Sequence, residues 1–175
     1  MPQPHARGPV RAVRAPVRPH RRSGPSGRRR PQEGELSTVP NRTGRADDHT
    51  EISDLLSRFA FLADEGDPAE AGALFTTDGT WETHDSTFQG PAEITRALTG
   101  YREKGLAGPA SGTRHVITNV EVDFDGPDSA RSRCYWTLIG RGEDGAGRLL
   151  AFGQYHDDLH REGAGWRLAR RRVLV

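Results

Sequence analysis

From Ile52 onward the apolar residues Ile52, Leu55, Leu56, Phe59, Ala60 and Ala63 recur three and four positions apart, the spacing that gathers side chains on one face of an α-helix. Asp48-x-x-Glu51 ahead of them is a capping-box pattern. A first helix is therefore predicted from Asp48 to about Glu65, stopped by Gly66. Asp67-Pro68 places an N-cap residue before a proline at the first helical position, which predicts a second, short helix reaching Leu74 and Phe75. Thr80 to Asp85 reads as a short strand. Gly90-Pro91 opens a third helix with Ile94, Ala97, Leu98 and Tyr101 on its apolar side, and Gly105 to Gly112 reads as loop.

Beyond Thr113 the period changes to two. Arg114 to Phe124, Ala130 to Gly140 and Arg148 to Arg161 are long strand candidates, separated by Gly126-Pro127-Asp128 and by the glycine-rich stretch 142–147. Gly163 to Gly165 makes one more turn, and Trp166 to Val175 is the last strand. This order predicts an α+β domain in which a curved, mostly antiparallel sheet and three N-terminal helices enclose a pocket.

Charge is distributed very unevenly among the 175 residues. Residues 1–46 hold eleven Arg against two acids, eight of the twelve Pro and no aromatic residue. Such a segment has too little apolar surface to offset the entropy of ordering it. Disorder is expected there, with one domain over residues 47–175. A basic tail can neutralise phosphates, but no aromatic residue interleaves the Arg and no nucleic-acid fold follows, so nucleic acid is not an expected partner. No apolar run is long enough to span a membrane, no apolar h-region follows the Arg-rich start, and Cys134 is the single cysteine. These features predict a cytoplasmic protein.

Ile52-x-x-Leu55-Leu56-x-x-Phe59-x-x-x-x-Asp64-x-x-Asp67, Leu74-Phe75-x-x-Asp78-Gly79 and Gly90-Pro91-x-x-Ile94 stand in one order. Arg114-His115, Ala130-x-Ser132, Gly153-x-Tyr155-x-Asp157-x-Leu159 and Gly165-Trp166-Arg167-Leu168-x-x-Arg171 follow them. Together, over residues 48–175, they resemble the SnoaL-like branch of the nuclear transport factor 2-like superfamily. The resemblance implies a cone-shaped α+β barrel with a ligand in its open end. It also implies that Asp64, late in the first helix, pairs with His115 at the start of a long strand, as in the dehydratase and dehydrochlorinase branches.

The residues support that pairing independently, because on a helical wheel Asp64 lies about 110° from the centre of the apolar stripe, at its edge. A carboxylate bonded to one imidazole nitrogen leaves the other as a positioned base. The plainer reading is that Asp64 ends the helix and His115 is a satisfied strand residue. Around the pair, Leu56, Phe59, Ala60 and Ala63 on the first helix, Trp81 on the first strand, and Trp136 and Phe152 on the sheet are the expected cavity lining. Trp81 and Ala63 stand where scytalone dehydratase has tyrosines, so two hydroxyls of that enzyme are missing. Tyr135 or Tyr155 could supply one, since strand alternation turns one of them inward; which of the two is open. Asn119, four residues beyond His115, could bond a ligand oxygen. Asp67 is expected to cap the second helix, and Arg171 to pair with an acid. His156 and His160 are too far apart along a strand to share a metal.

No cofactor or metal is expected. The chemistry implied is a cofactor-independent lyase or isomerase acting by Asp-His proton transfer on a small hydrophobic cyclic metabolite. The alternative is a non-catalytic binding or accessory protein of the same fold, including a dioxygenase β-type subunit. Phe61 points away from the helix-one core stripe, which predicts a second packed surface and a homo-oligomer.

Overall fold

The computed structural model describes residues 42–175 apart from Glu143; the expected disordered tail lies almost wholly outside the described residues. The first helix, α1, spans Arg42–Asp64 and buries Ile52, Leu55, Leu56, Phe59, Ala60, Leu62 and Ala63, leaving Phe61 exposed on the opposite side. It begins six residues before the expected capping box. Asp48 and Glu51 therefore lie inside the helix rather than at its start. Their carboxylates are taken by the far hairpin instead: Asp48 accepts from the Arg161 guanidinium and from the Trp166 indole N–H, and Glu51 accepts from the Trp166 backbone N–H at 2.9 Å. Arg45, in the extra turn, lies over the Phe124 ring at 4.4 Å.

Helix α2 is a single turn, Pro68–Gly72, capped by Asp67 Oδ1 accepting from Ala69 N at 2.8 Å. It stops short of Leu74 and Phe75 because the sheet claims them: Leu168 N donates to Leu74 O at 2.9 Å, and Phe75 pairs with Leu168. The first strand, β1, is accordingly Phe75–Glu82, earlier than the expected Thr80 to Asp85, and a short β2 at Thr87–Gln89 turns back on it. Helix α3 is Gly90–Glu103. It packs so closely on α2 that a Cβ at Gly72 would lie 2.7 Å from Pro91 O. A 3-10 turn, Pro109–Ser111, interrupts the following loop.

Strands β3 (Arg114–Phe124), β4 (Ser129–Arg141), β5 (Gly147–Glu162) and β6 (Gly165–Leu174) form an antiparallel meander. β1 joins β6 in parallel, giving a six-stranded sheet in the order β2-β1-β6-β5-β4-β3. The three helices cover its inner face and share one core with it, built around Trp166, Leu168, Leu159, Ile94 and the α1 stripe. This is the α+β arrangement of helices on a curved sheet that the pattern of periods predicts, and the cone that the resemblance implies. Among the described residues no helix is long and apolar enough to cross a membrane.

Candidate active site

Helix α1 ends where β3 begins, and two bonds tie the junction. Asp64 Oδ1 lies 2.7 Å from His115 Nδ1, and Asp64 Oδ2 accepts the His115 backbone N–H, also at 2.7 Å. The carboxylate is 3% exposed. Because a carboxylate only accepts, the hydrogen-bond network assigns the proton to Nδ1, and the lone pair of the neutral ring to Nε2. The last carbonyls of α1, which the helix itself cannot satisfy, are met from α3: Arg102 donates to Leu62 O at 2.6 Å and to Ala63 O at 3.3 Å. Asp64 thus leaves a helix end that is pinned from two sides.

His115 opens onto a cavity of about 240 Å³ in the mouth of the cone. Of the residues expected to line it, Phe59, Ala63, Trp81, Trp136 and Tyr155 do so together with His115. Leu56 and Ala60 do not; they are buried at 0% and 6% exposure and are absent from the cavity wall. Leu56 packs in the core, about one turn before Phe59 and two before Ala63 along α1. Tyr135 and Phe152 face outward, at 51% and 68% exposure. Tyr135 pairs with Gln154 and Phe152 with Thr137, so both belong to the outer layer of the pleat, while Tyr155, opposite buried Cys134, belongs to the inner one.

Asn119 is also outside. Its φ of 55° and the register shift between Thr118 and Glu121 mark a β-bulge, which breaks the alternation that would have put it on the face of His115. It borders an outer groove with Glu121 and Gln154.

The cavity also has walls that periodicity alone did not assign. Leu98 and Tyr101 of α3, Leu106 and Ala107 of the following loop, Leu138 and Ala151 on β4 and β5, Val173 on β6 and Thr83 after β1 complete it. Leu98 and Tyr101 carried a signal, since they share the apolar side of α3 three residues apart. The loop residues carried none.

Behind the cavity wall lies a buried ion pair. Arg171, 0% exposed, donates from Nε and a terminal nitrogen to the two oxygens of Asp157, each at 2.8 Å. Its guanidinium lies between the Phe59 ring at 4.5 Å and the Tyr155 ring at 4.2 Å. Tyr155 in turn stacks on Trp136 with centroids 5.7 Å apart, and Trp136 sits 6.3 Å from the His115 ring. Burial pushes the Tyr155 phenol far up, so it stays protonated. His156 bonds Gln154 at 2.9 Å, and no group of three potential metal ligands occurs among the described residues.

A cone of curved sheet closed by three helices is the fold of the nuclear transport factor 2-like class of α+β proteins. Residues 44–172 match the SnoaL-like domain, and the chain belongs to that family. Solved structures agree. A nuclear transport factor 2-like protein with a cystatin-like fold from Novosphingobium aromaticivorans is 27% identical, with a TM-score of 0.70 over 81% of this chain and 90% of that one. A candidate scytalone dehydratase from the same organism is 21% identical, with a TM-score of 0.62 over 75% and 86% of the two chains. A candidate aromatic ring hydroxylase, again from that organism, is 23% identical, with a TM-score of 0.59 over 73% and 88%. No protein of curated function matches the chain.

Proposed function

We propose that the protein is a cofactor-independent lyase or isomerase that removes a proton from a small hydrophobic cyclic molecule. The observation that carries this reading is the 2.7 Å contact between Asp64 Oδ1 and His115 Nδ1 at the wall of an apolar cavity. With Nδ1–H held by the carboxylate, Nε2 takes the substrate proton, and the imidazolium that forms is stabilised by Asp64. The C–H electron pair then either expels a leaving group, which is elimination, or delocalises into a carbonyl until the proton returns elsewhere, which is isomerisation. The dyad supplies both without a redox step. In this reading Phe59, Ala63, Trp81, Trp136 and Tyr155 hold the ring system, as apolar walls with few polar groups do in small-molecule sites.

A substrate-independent test is exchange of the α-protons of 2-tetralone, a bicyclic ketone, for solvent deuterium, followed by NMR. Wild-type protein should accelerate exchange, and His115→Ala should lose the acceleration. If neither protein accelerates exchange while the wild type still binds the ketone, the binding or accessory role is the better account.

A homo-oligomer is part of the same proposal. On the outer face, Val116, Thr137 and Phe152 form one cross-strand row, and Thr118, Tyr135, Gln154 and Leu174 the next. Phe152, Tyr135, Leu174 and Val116 are each at least 40% exposed. Contiguous apolar surface of this kind marks an association face, and a second copy of this chain would cover it. Sedimentation should show a dimer that Phe152→Arg dissociates; a wild-type monomer would refute it.

A further inference from the structure

We propose that Arg102 is a positioning residue for the proton transfer: it holds the peptide that carries Asp64, and through Asp64 the ring of His115, while the same side chain supports the loop that walls the cavity. The proposal rests on the proton-transfer reading of His115 and names what keeps that base aimed.

Asp64 is the last residue of α1, whose final turn has no basic residue. A carboxylate there faces the negative end of the helix, where unpaired carbonyls repel an anion. The compensating cation comes from α3. One terminal nitrogen of Arg102 donates to Leu62 O at 2.6 Å and to Ala63 O at 3.3 Å, and Ala63 O belongs to the peptide unit whose nitrogen is that of Asp64. The guanidinium therefore offsets the charge at the helix end and fixes the peptide plane from which Asp64 projects. With the carboxylate fixed, its two 2.7 Å bonds to the ring and backbone of His115 hold Nε2 in one direction. Arg102 is absent from the cavity wall and works only through Asp64.

The stem of Arg102 makes a second contact. Gly108, buried and at φ 83°, lies so close to it that a Cβ there would be 2.7 Å from Arg102 Cγ and 3.1 Å from Nε. That Nε is itself buried with no hydrogen-bond partner among the described residues, which opposes stability and follows from running the guanidinium past the loop to the helix end. Just before Gly108 stand Leu106 and Ala107, both in the cavity wall, and Leu106 is 59% exposed. Leu106 N donates to Tyr101 O and Gly105 N to Arg102 O, each at 2.9 Å, and Ser111 Oγ donates to Gly108 O at 2.7 Å. Arg102 is thus the common support of a ligand wall and of the base. A shift of its guanidinium moves the dyad relative to a substrate seated on Leu106 and Ala107, and a misplacement of about 1 Å between reacting groups costs roughly 100-fold in rate.

The test reads the His115 ring and the reaction separately. In ¹⁵N-labelled protein the Nδ1–H resonance of His115, identified by its absence from His115→Ala, should lie far downfield, as that of a proton held by a carboxylate does. Arg102→Met keeps the stem beside Gly108 and removes the charge and the donors. It should move that resonance upfield or broaden it through solvent exchange, and slow deuterium exchange of the 2-tetralone α-protons about 10- to 100-fold, while affinity for 2-tetralone is unchanged. Arg102→Lys, which keeps a cation and donors, should lose less of both than Arg102→Met. Glu65→Gln, which removes the exposed Glu65–Arg114 pair at the same junction, should change neither. A wild-type resonance with wild-type exchange in Arg102→Met overturns the proposal. Slowed exchange with the resonance unmoved also overturns it, since Arg102 would then act by another route than Asp64. Should Arg102→Met not fold, Gly108→Ala pushes a methyl against Arg102 Cγ and reads the same resonance, and no change there overturns the proposal. A resonance that moves in Arg102→Met while the wild type exchanges no α-protons keeps Arg102 as the support of the pair and removes the proton-transfer reading.

Discussion

Asp64 grips His115 at two points, one oxygen on the ring and the other on the backbone N–H of the same residue. A single ring contact would let the imidazole swing about its own side-chain bonds. The second fixes the strand from which the ring projects, so the orientation of Nε2 is set by a buried carboxylate and not by the loop that precedes β3.

This arrangement orders three variants by stability. Asp64→Ala leaves a buried backbone N–H and a ring N–H unmet, and should cost roughly 2–4 kcal/mol, since bonds to charged groups are worth about 1.5–3 kcal/mol each and the losses overlap. Asp64→Asn retains one acceptor and should cost less. His115→Ala keeps the backbone bond and should cost least. Thermal unfolding of the three proteins checks the order; a His115→Ala protein less stable than Asp64→Ala would show that the ring, not the carboxylate, holds the junction.

Gly153 faces Leu174 and Trp136 so closely that a Cβ there would lie 2.0 Å from Leu174 O and 3.0 Å from the Trp136 ring. Backbone cannot yield as a flexible side chain can. Gly153→Ala should therefore destabilise by about 1–3 kcal/mol and move Trp136 against Tyr155. Trp fluorescence in a protein that still folds should report the displaced indole.

The four long strands were legible in the sequence from local pattern, period two between glycine turns, whereas the Asp64–His115 pairing was legible through the family resemblance, with Asp64 at the edge of an apolar stripe in support. Local pattern failed where a distant partner decides. Asp48 and Glu51 have the spacing of a capping box, but Trp166 and Arg161, more than a hundred residues away, use their carboxylates. Leu74 and Phe75 continue a helical pattern until Leu168 draws them into the sheet. Asn119 keeps strand parity with His115 only if no residue is inserted, and the bulge inserts one. The choice between Tyr135 and Tyr155 follows from the same register, which no short window of sequence contains.

Arg171 and Asp157 test a different kind of contact. Both side chains are fully buried, and burial works against the Arg171 charge until Asp157 outweighs it. Removing one partner strands the other: Arg171→Met or Asp157→Leu alone should cost about 3–5 kcal/mol, whereas the double replacement should recover most of that loss. Denaturant unfolding of the three variants measures the coupling. Equal losses in the single and double variants would mean that packing against Phe59 and Tyr155, not charge, is what Arg171 contributes.

Asp48 supplies a pH dependence whose sign can be worked out. Burial works to raise its pKa, but hydrogen bonds from Arg161 and Trp166, with the Arg161 charge, outweigh burial and hold it below the ordinary carboxylate value. A carboxyl depressed in the folded state stabilises that state fully above its unfolded pKa, near 3.9, and loses the contribution as pH falls through the folded value. Asp48→Asn keeps the shape and removes the charge. It should lower stability by about 1–2 kcal/mol at pH 7, and the gap to wild type should narrow below pH ~4 and vanish once both carry a neutral side chain. Melting temperatures of the two proteins across that range check the claim: a gap that stays constant into strong acid would mean that Asp48 holds α1 to the β5–β6 hairpin by shape and hydrogen bonding alone, with no share from its charge.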